Sequence, residues 1–174
     1  MHSITNRPAK IFLIGFMGTG KTYWGKVWSE AMGIPFYDLD KLIEAAEQDS
    51  IANIFEKKGE AYFRQVEMEQ LRKMQAVPFG IIACGGGTPC YADNMEWMKF
   101  NGITIYIQST AADILKRVLT EKAERPLLKN LNKAELLFFI EQKLKERLPY
   151  YTTADHILDS TLIDKDSLQI LLAQ

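Results

Sequence analysis

Residues 15–22 read Gly-Phe-Met-Gly-Thr-Gly-Lys-Thr, a match to G-x-x-x-x-G-K-[ST], the pattern of a phosphate-binding P-loop. Its glycines let the backbone turn so that successive N–H groups point inward at phosphate oxygens. Lys21 would reach the β- and γ-phosphates, and the Thr22 hydroxyl would sit on Mg²⁺. Both flanks suit that chemistry. Lys10 to Ile14 (KIFLI) reads as a short buried strand. Tyr23 to Met32 has helical composition and ends at Gly33, a suitable C′ residue. The helix N-terminus would add its partial positive charge where phosphate binds. A glycine-rich turn that binds nothing is the bland alternative, and the agreement of both flanks argues against it.

Five other segments carry residue types with chemical uses. The first is Phe36-Tyr37-Asp38-Leu39-Asp40. Residues two apart in an extended chain share a face, so Asp38 and Asp40 would point together at a strand end. One carboxylate near Thr22 could help hold Mg²⁺ through its water shell. The other could accept a hydrogen bond from a substrate hydroxyl, and then its proton. Capping of a helix that starts at Lys41 is an equally good use for Asp40. In Tyr62-Phe-Arg-Gln-Val-Glu67, Arg64 and Glu67 are three apart and can pair on a helix. Such an arginine is pre-oriented for a carboxylate, although a solvated ion pair worth at most about 0.5 kcal/mol explains the spacing as well. In Cys84-Gly-Gly-Gly-Thr-Pro89, three glycines after a strand let a ligand approach the backbone closely. Residues 116–130 (KRVLTEKAERPLLKN) read as a polar loop between helices, carrying Arg125 before Pro126. It is either an exposed loop or a mobile one that closes an arginine over phosphates. Finally, Arg147 stands where Pro149 would end a helix, a place where a cation favours the helix dipole.

These segments need a frame. Strand-like runs at 10–14, 34–38, 79–83, 103–107 and 155–158 alternate with helical ones at 41–76, 91–99, 110–121, 132–148 and 164–173. Within 41–76, Ile43, Ala46, Ile51, Ile54, Phe55, Phe63, Val66 and Leu71 recur at helical spacing, with Gly59 as a predicted break. Alternation of this kind after a P-loop implies a mostly parallel sheet covered on both faces. Ligands then bind at the carboxyl ends of the strands, where each of these segments begins.

Composition narrows the partners. A chain of 174 residues, 47% hydrophobic and 25% charged, suits one globular domain. A net charge of −1 argues against a nucleic-acid binder with a broad basic face, so an anionic ligand must be caught by local arginines. No apolar run approaches the ~18 residues of a membrane span, and MHSITNRPAK lacks the apolar region of a signal peptide. A cytoplasmic protein is expected. Cys84 and Cys90 lack metal-site spacing and suit a reducing compartment, Cys84 as a small buried residue and Cys90 as incidental. His2 and His156 have no partner motif.

Together these segments resemble shikimate kinase, a family within the nucleoside-monophosphate-kinase-like P-loop group, over roughly residues 10–170. The P-loop alone is shared by many NTPases; the specific signal is the ordered set GFMGTGKT, FYDLD, FRQVE, CGGG, ERPLL and RLPYY. The resemblance implies a three-layer α/β P-loop NTPase fold with a central five-stranded parallel sheet in the order 2-3-1-4-5. It implies a single domain over 1–174, with substrate-binding helices at 41–76 and a lid at about 118–129. Gly18, Thr19, Gly20, Lys21, Thr22 and Tyr23 would line ATP together with Arg117 and Arg125. Thr22 and Asp38 would hold Mg²⁺. Asp40, Arg64, Gly86, Gly87 and Arg147 would bind shikimate, with Glu67 orienting Arg64. Asp40, Lys21 and Arg125 would be catalytic. The implied reaction is ATP + shikimate → ADP + 3-phosphoshikimate, in a monomer that meets neither nucleic acid nor membrane. No conventional Walker B aspartate follows the third strand, which agrees with a metal-side role for Asp38. Two rivals stand beside this reading. One is a kinase for gluconate or a nucleoside monophosphate; the other is a non-catalytic nucleotide-binding regulator.

Overall fold

A computed structural model describes residues 10–121 and 131–173. Five strands form one parallel sheet: β1 (Ile11–Ile14), β2 (Phe36–Asp38), β3 (Ile81–Ala83), β4 (Ile103–Gln108) and β5 (His156–Asp159). Their order is β2-β3-β1-β4-β5, as expected. β1 lies at the centre, with Ile11 opposite Ile81 on one side and Ile103 on the other. All four of its side chains are fully buried, each worth about 1.5–3 kcal/mol of burial. They alternate between the two faces. Ile11 and Leu13 join Trp28, Ile81, Ile105, Ile107 and Leu168 in one core layer. Phe12 and Ile14 join the other, with Ile43, Met98, Tyr106 and Ile140 among its members.

The helices are α1 (Lys21–Met32), α2 (Leu39–Glu47), α3 (Ile51–Lys73), α4 (Asn94–Asn101), α5 (Ala111–Glu121), α6 (Lys133–Tyr151) and α7 (Ser167–Leu172). α1 and α7 cover one face of the sheet, where Trp28 donates its indole N–H to the Asp164 carbonyl at 2.8 Å. α2 to α6 cover the other. None of the described helices is long and apolar enough to cross a membrane.

Several boundaries differ from expectation, each for a physical reason. α1 starts at Lys21 rather than Tyr23, because Gly20 takes the left-handed N-cap conformation (φ 91°) and lets the helix begin at once. Its far end is Gly33, left-handed as expected, donating to the Ser29 carbonyl. The stretch 41–76 is two helices, not one. α2 begins at Leu39, ends at left-handed Gln48, and is followed by Ser50, whose hydroxyl caps α3. Gly59 is non-helical, at φ 80° and ψ 171°, and kinks α3 as predicted. α6 does not stop at Pro149 but runs to Tyr151. Pro149 gives up its amide bond and crowds the carbonyl four residues back, but Tyr151 anchors that turn by burying its ring 5.0 Å from Tyr106. Arg147 therefore lies within α6, not at its end. Residues 118–121, where the expected helix 110–121 and the expected lid overlap, are helical, as the helical reading had it, and Val118 is fully buried. The rest of the expected lid, with Arg125, lies outside the described residues.

Candidate active site

The carboxyl ends of β1, β2 and β3 each release a segment that turns toward the same place. After β1 the chain forms the P-loop. Lys21 folds back over it, donating to the Gly15 and Phe16 carbonyls at 2.8 and 2.7 Å. The Thr19 hydroxyl also donates to the Phe16 carbonyl, at 2.9 Å. Thr22 and Tyr23 lie in the first turn of α1, where free amides and the helix dipole favour an anion. Tyr23 is largely exposed and meets Trp24 edge to face. α5 closes the other side of the loop. Arg117 donates to the Gly18 carbonyl at 3.1 Å, and a Cβ on Gly18 would lie 3.2 Å from Val118 Cγ2.

After β2 come the two aspartates, with their roles divided differently from the capping reading. Asp38, not Asp40, caps α2, accepting from the Lys41 amide at 3.3 Å. The other Asp38 oxygen accepts from the Thr22 hydroxyl at 2.8 Å. Asp40 lies in the first turn of α2. Burial, and then the carboxylates of Asp38 and Glu67, push its pKa up to about 6, with Lys21 partly offsetting them. Such a group is near the right strength to take a proton at neutral pH.

The Thr22–Asp38 pair is a fit for Mg²⁺. It offers two hard oxygens at the helix end where phosphates would arrive, and Mg²⁺ prefers one or two protein oxygens plus phosphate and water. Among the described residues no cluster of three or more His, Cys, Asp or Glu forms a metal cage of its own.

After β3 comes the triple-glycine loop, and two arginines press on it. A Cβ on Gly87 would overlap the Arg64 guanidinium, and one on Gly86 would lie 2.9 Å from Arg147 Nη1. These positions must be glycine for the guanidinium groups to sit where they do. Arg64 is mostly buried, which works against its charge. Glu67 at 2.7 Å and Glu60 at 3.3 Å outweigh that and raise its pKa. The Arg147 guanidinium carbon lies 5.2 Å from the Phe16 ring centre, a cation–π contact with the P-loop.

All the expected residues of the described region are therefore adjacent to one another around three strand ends, whereas Arg125 lies outside that region. Four participants had no individual role in the sequence reading. The Tyr151 hydroxyl donates to the Gly86 carbonyl at 2.6 Å and props the glycine loop. Phe16 carries Arg147. Gly85 is hemmed in by Glu67 and Asp40. The Thr88 hydroxyl donates to Glu67 at 2.6 Å. The sequence signal for Tyr151 was its place in RLPYY; for Thr88 there was only its position beside the glycines. Cys84 is a buried thiol with a raised pKa, from burial first. Cys90 is half-buried, its thiol pushed up to about 11 by burial, which Arg147 and Arg64 oppose.

The chain is similar to known proteins over nearly its whole length. The family model described as shikimate kinase matches residues 17–172. A shikimate kinase from Phocaeicola vulgatus is 38% identical over 161 residues, covering 92% of each chain. One from Flavobacterium psychrophilum is 40% identical over 160 residues, covering 91% of each. Among solved structures, shikimate kinase from Bacteroides thetaiotaomicron superposes with a TM-score of 0.90 at 35% identity, covering 96% of this chain and 99% of that one. Shikimate kinase from Acinetobacter baumannii in complex with shikimate superposes with a TM-score of 0.83 at 33% identity, covering 97% of this chain and 92% of the other. On a match that spans nearly all of both partners, the chain belongs to the shikimate kinase family.

Proposed function

We propose that this site transfers the γ-phosphate of ATP to the 3-hydroxyl of shikimate, giving ADP and 3-phosphoshikimate. The observation that carries the reading is the convergence of Arg64 and Arg147 on the glycine loop beside a half-buried Asp40. Two guanidinium groups make a local positive pocket for a compact carboxylate. In this reading the backbone N–H groups of Gly86 and Gly87 serve as further donors to the acceptor. A nucleotide acceptor would need room for a base where the arginines stand.

Each residue then has a task. The loop amides of Gly18, Thr19, Gly20, Lys21, Thr22 and Tyr23 hold the triphosphate, with Arg117 alongside. Thr22 and Asp38 would hold Mg²⁺, which would supply positive charge to offset that of the phosphates. Arg64, oriented by Glu67, and Arg147 fix the shikimate carboxylate and so set where the ring's hydroxyls lie. Asp40 accepts a hydrogen bond from the 3-hydroxyl and takes its proton as that oxygen bonds to the γ-phosphorus. The bond from the γ-phosphorus to the β–γ bridging oxygen breaks, and Lys21 and Arg125 balance the charge that develops. Such catalysis rests mainly on positioning and electrostatics. The helices within 41–76 form the acceptor side of a single domain, and residues at about 118–129 serve as its lid. The residues invoked come from one chain, as a monomer would supply them.

A coupled assay of ADP release tests the reading with shikimate, gluconate, nucleoside monophosphates and no acceptor. Turnover that depends on shikimate is the expected result. Turnover with another acceptor would overturn the pocket assignment. ATP binding without turnover of any acceptor would favour a regulator.

A further inference from the structure

Glu67 is completely buried, and each of its carboxylate oxygens is tied down. Oε2 accepts from Arg64 Nη1 at 2.7 Å, within α3. Oε1 accepts from the Thr88 hydroxyl at 2.6 Å, across the sheet's edge to a separate segment. Thr88 is also fully buried and opens the short 3-10 turn Thr88–Cys90, directly after the glycine loop. That turn is itself held from two sides. The Thr88 amide donates to the Gly85 carbonyl at 3.1 Å. The side-chain amide of Asn94, fully buried at the start of α4, donates to the Thr88 carbonyl at 2.9 Å.

The surroundings explain why the hydroxyl matters. A Cβ built on Gly85 would lie 2.6 Å from Glu67 Oε1 and 3.1 Å from both Asp40 Oδ1 and Thr88 Oγ1. Three oxygens thus close around one glycine, and two of them belong to carboxylates. Carboxylates repel and cannot bond each other, whereas a hydroxyl can donate. Without that donor, Glu67 Oε1 would be a buried acceptor with no proton to receive and a carboxylate nearby. Rotation of Glu67 away from that position would turn Arg64 with it, because the two share one short bond.

We propose that Thr88 is a positioning residue for acceptor binding. It acts through Glu67 to hold the Arg64 guanidinium in the plane that receives the substrate carboxylate, and Asn94 holds Thr88 in turn. This rests on the functional reading above and extends the acceptor site to a buried hydroxyl that touches no substrate. The device crosses elements: α4 fixes the turn, the turn fixes a carboxylate on α3, and the carboxylate fixes the arginine.

Thr88→Val keeps the branched shape and removes the hydroxyl; Thr88→Ser keeps the hydroxyl. Steady-state kinetics are measured against each substrate for both variants and the wild type. Thr88→Val is expected to raise the KM for shikimate about tenfold, the size of losing a hydrogen bond to a buried carboxylate. The KM for ATP should stay within about twofold, and Thr88→Ser should restore the shikimate KM, because a loss confined to one substrate marks binding geometry and not general damage. Should Thr88→Val fail to fold, Thr88→Ala carries the same test without added bulk. An unchanged shikimate KM would overturn the inference. So would two KM values that rise together, or a serine variant as impaired as the valine one. A wild-type protein that turns over no shikimate overturns the functional reading and this inference with it. An active wild type whose KM ignores Thr88→Val overturns this inference alone.

Discussion

At Asp40, burial and the carboxylates of Asp38 and Glu67 hold the pKa near 6, against an ordinary value of 3.8. A raised acid pKa means that the folded state keeps a proton that the unfolded chain has released. Asp40 therefore weakens the fold increasingly as pH rises from about 4 to about 6, and fully above that. Asp40→Asn should melt at a higher temperature than wild type at pH 8, with the margin shrinking toward pH 4. Its kcat should fall by at least about a hundredfold, the usual cost of losing a positioned base. In the wild type, kcat/KM for shikimate should drop as pH falls below about 6, because Asp40, the proposed base, is then protonated in the free enzyme. Melting curves and rate profiles across pH check both halves. A variant that loses stability at pH 8 would contradict the burial argument. The paired aspartates were legible in the sequence as a pair, but not their division of labour. Which one caps α2 depends on where the helix starts, and Leu39 rather than Lys41 is its first residue. Propensity leaves such boundaries open by a few residues.

At the scale of elements, glycines that look alike in the sequence answer to different forces. At Gly87 a methyl would overlap the Arg64 guanidinium, the movable end of a side chain. Gly87→Ala should therefore raise the KM for shikimate more than about tenfold while barely changing the melting temperature. Gly33 has open space around its missing side chain but a left-handed backbone at φ 63°. Gly33→Ala should cost about 1 kcal/mol, a few degrees of melting temperature, with both KM values unchanged. The same split explains what could be read in advance. The strands were legible because runs such as IFLI and ITIYIQ are short and rich in β-branched and aromatic residues, the first buried throughout and the second over Thr104–Ile107. The break between α2 and α3 was not, because Gln48 adopts a left-handed conformation without being glycine. Nor was the continuation of α6 through Pro149, which depends on Tyr151 finding Tyr106 across the fold. Thr88 stayed hidden for the same reason, since its partner is 21 residues away.

At the scale of the whole molecule, the site is a property of the sheet. β1, β2 and β3 lie side by side and their ends supply the P-loop, the aspartates and the glycine loop. Ligands that bridge these ends should stabilise the fold as a unit. Mg-ATP at about 100 times its Kd should add about 2.7 kcal/mol, or roughly 5–10 °C of melting temperature for a chain of this size. Chelating the metal with EDTA should remove much of that gain, as should Asp38→Asn, which takes away the negative charge beside Thr22. Thermal melts with and without EDTA check it. A net charge of −1 makes the pocket's positive character local rather than global, and the proposed account assigns recognition of the substrate carboxylate to Arg64 and Arg147. The most direct measurement compares shikimate with its methyl ester as acceptors for wild type, Arg64→Ala and Arg147→Ala. Wild type should prefer the free acid by about a hundredfold in kcat/KM, the size expected for two charge-assisted contacts. Each alanine variant should lose most of that preference while keeping its KM for ATP. Variants that discriminate between acid and ester as strongly as wild type would contradict the account.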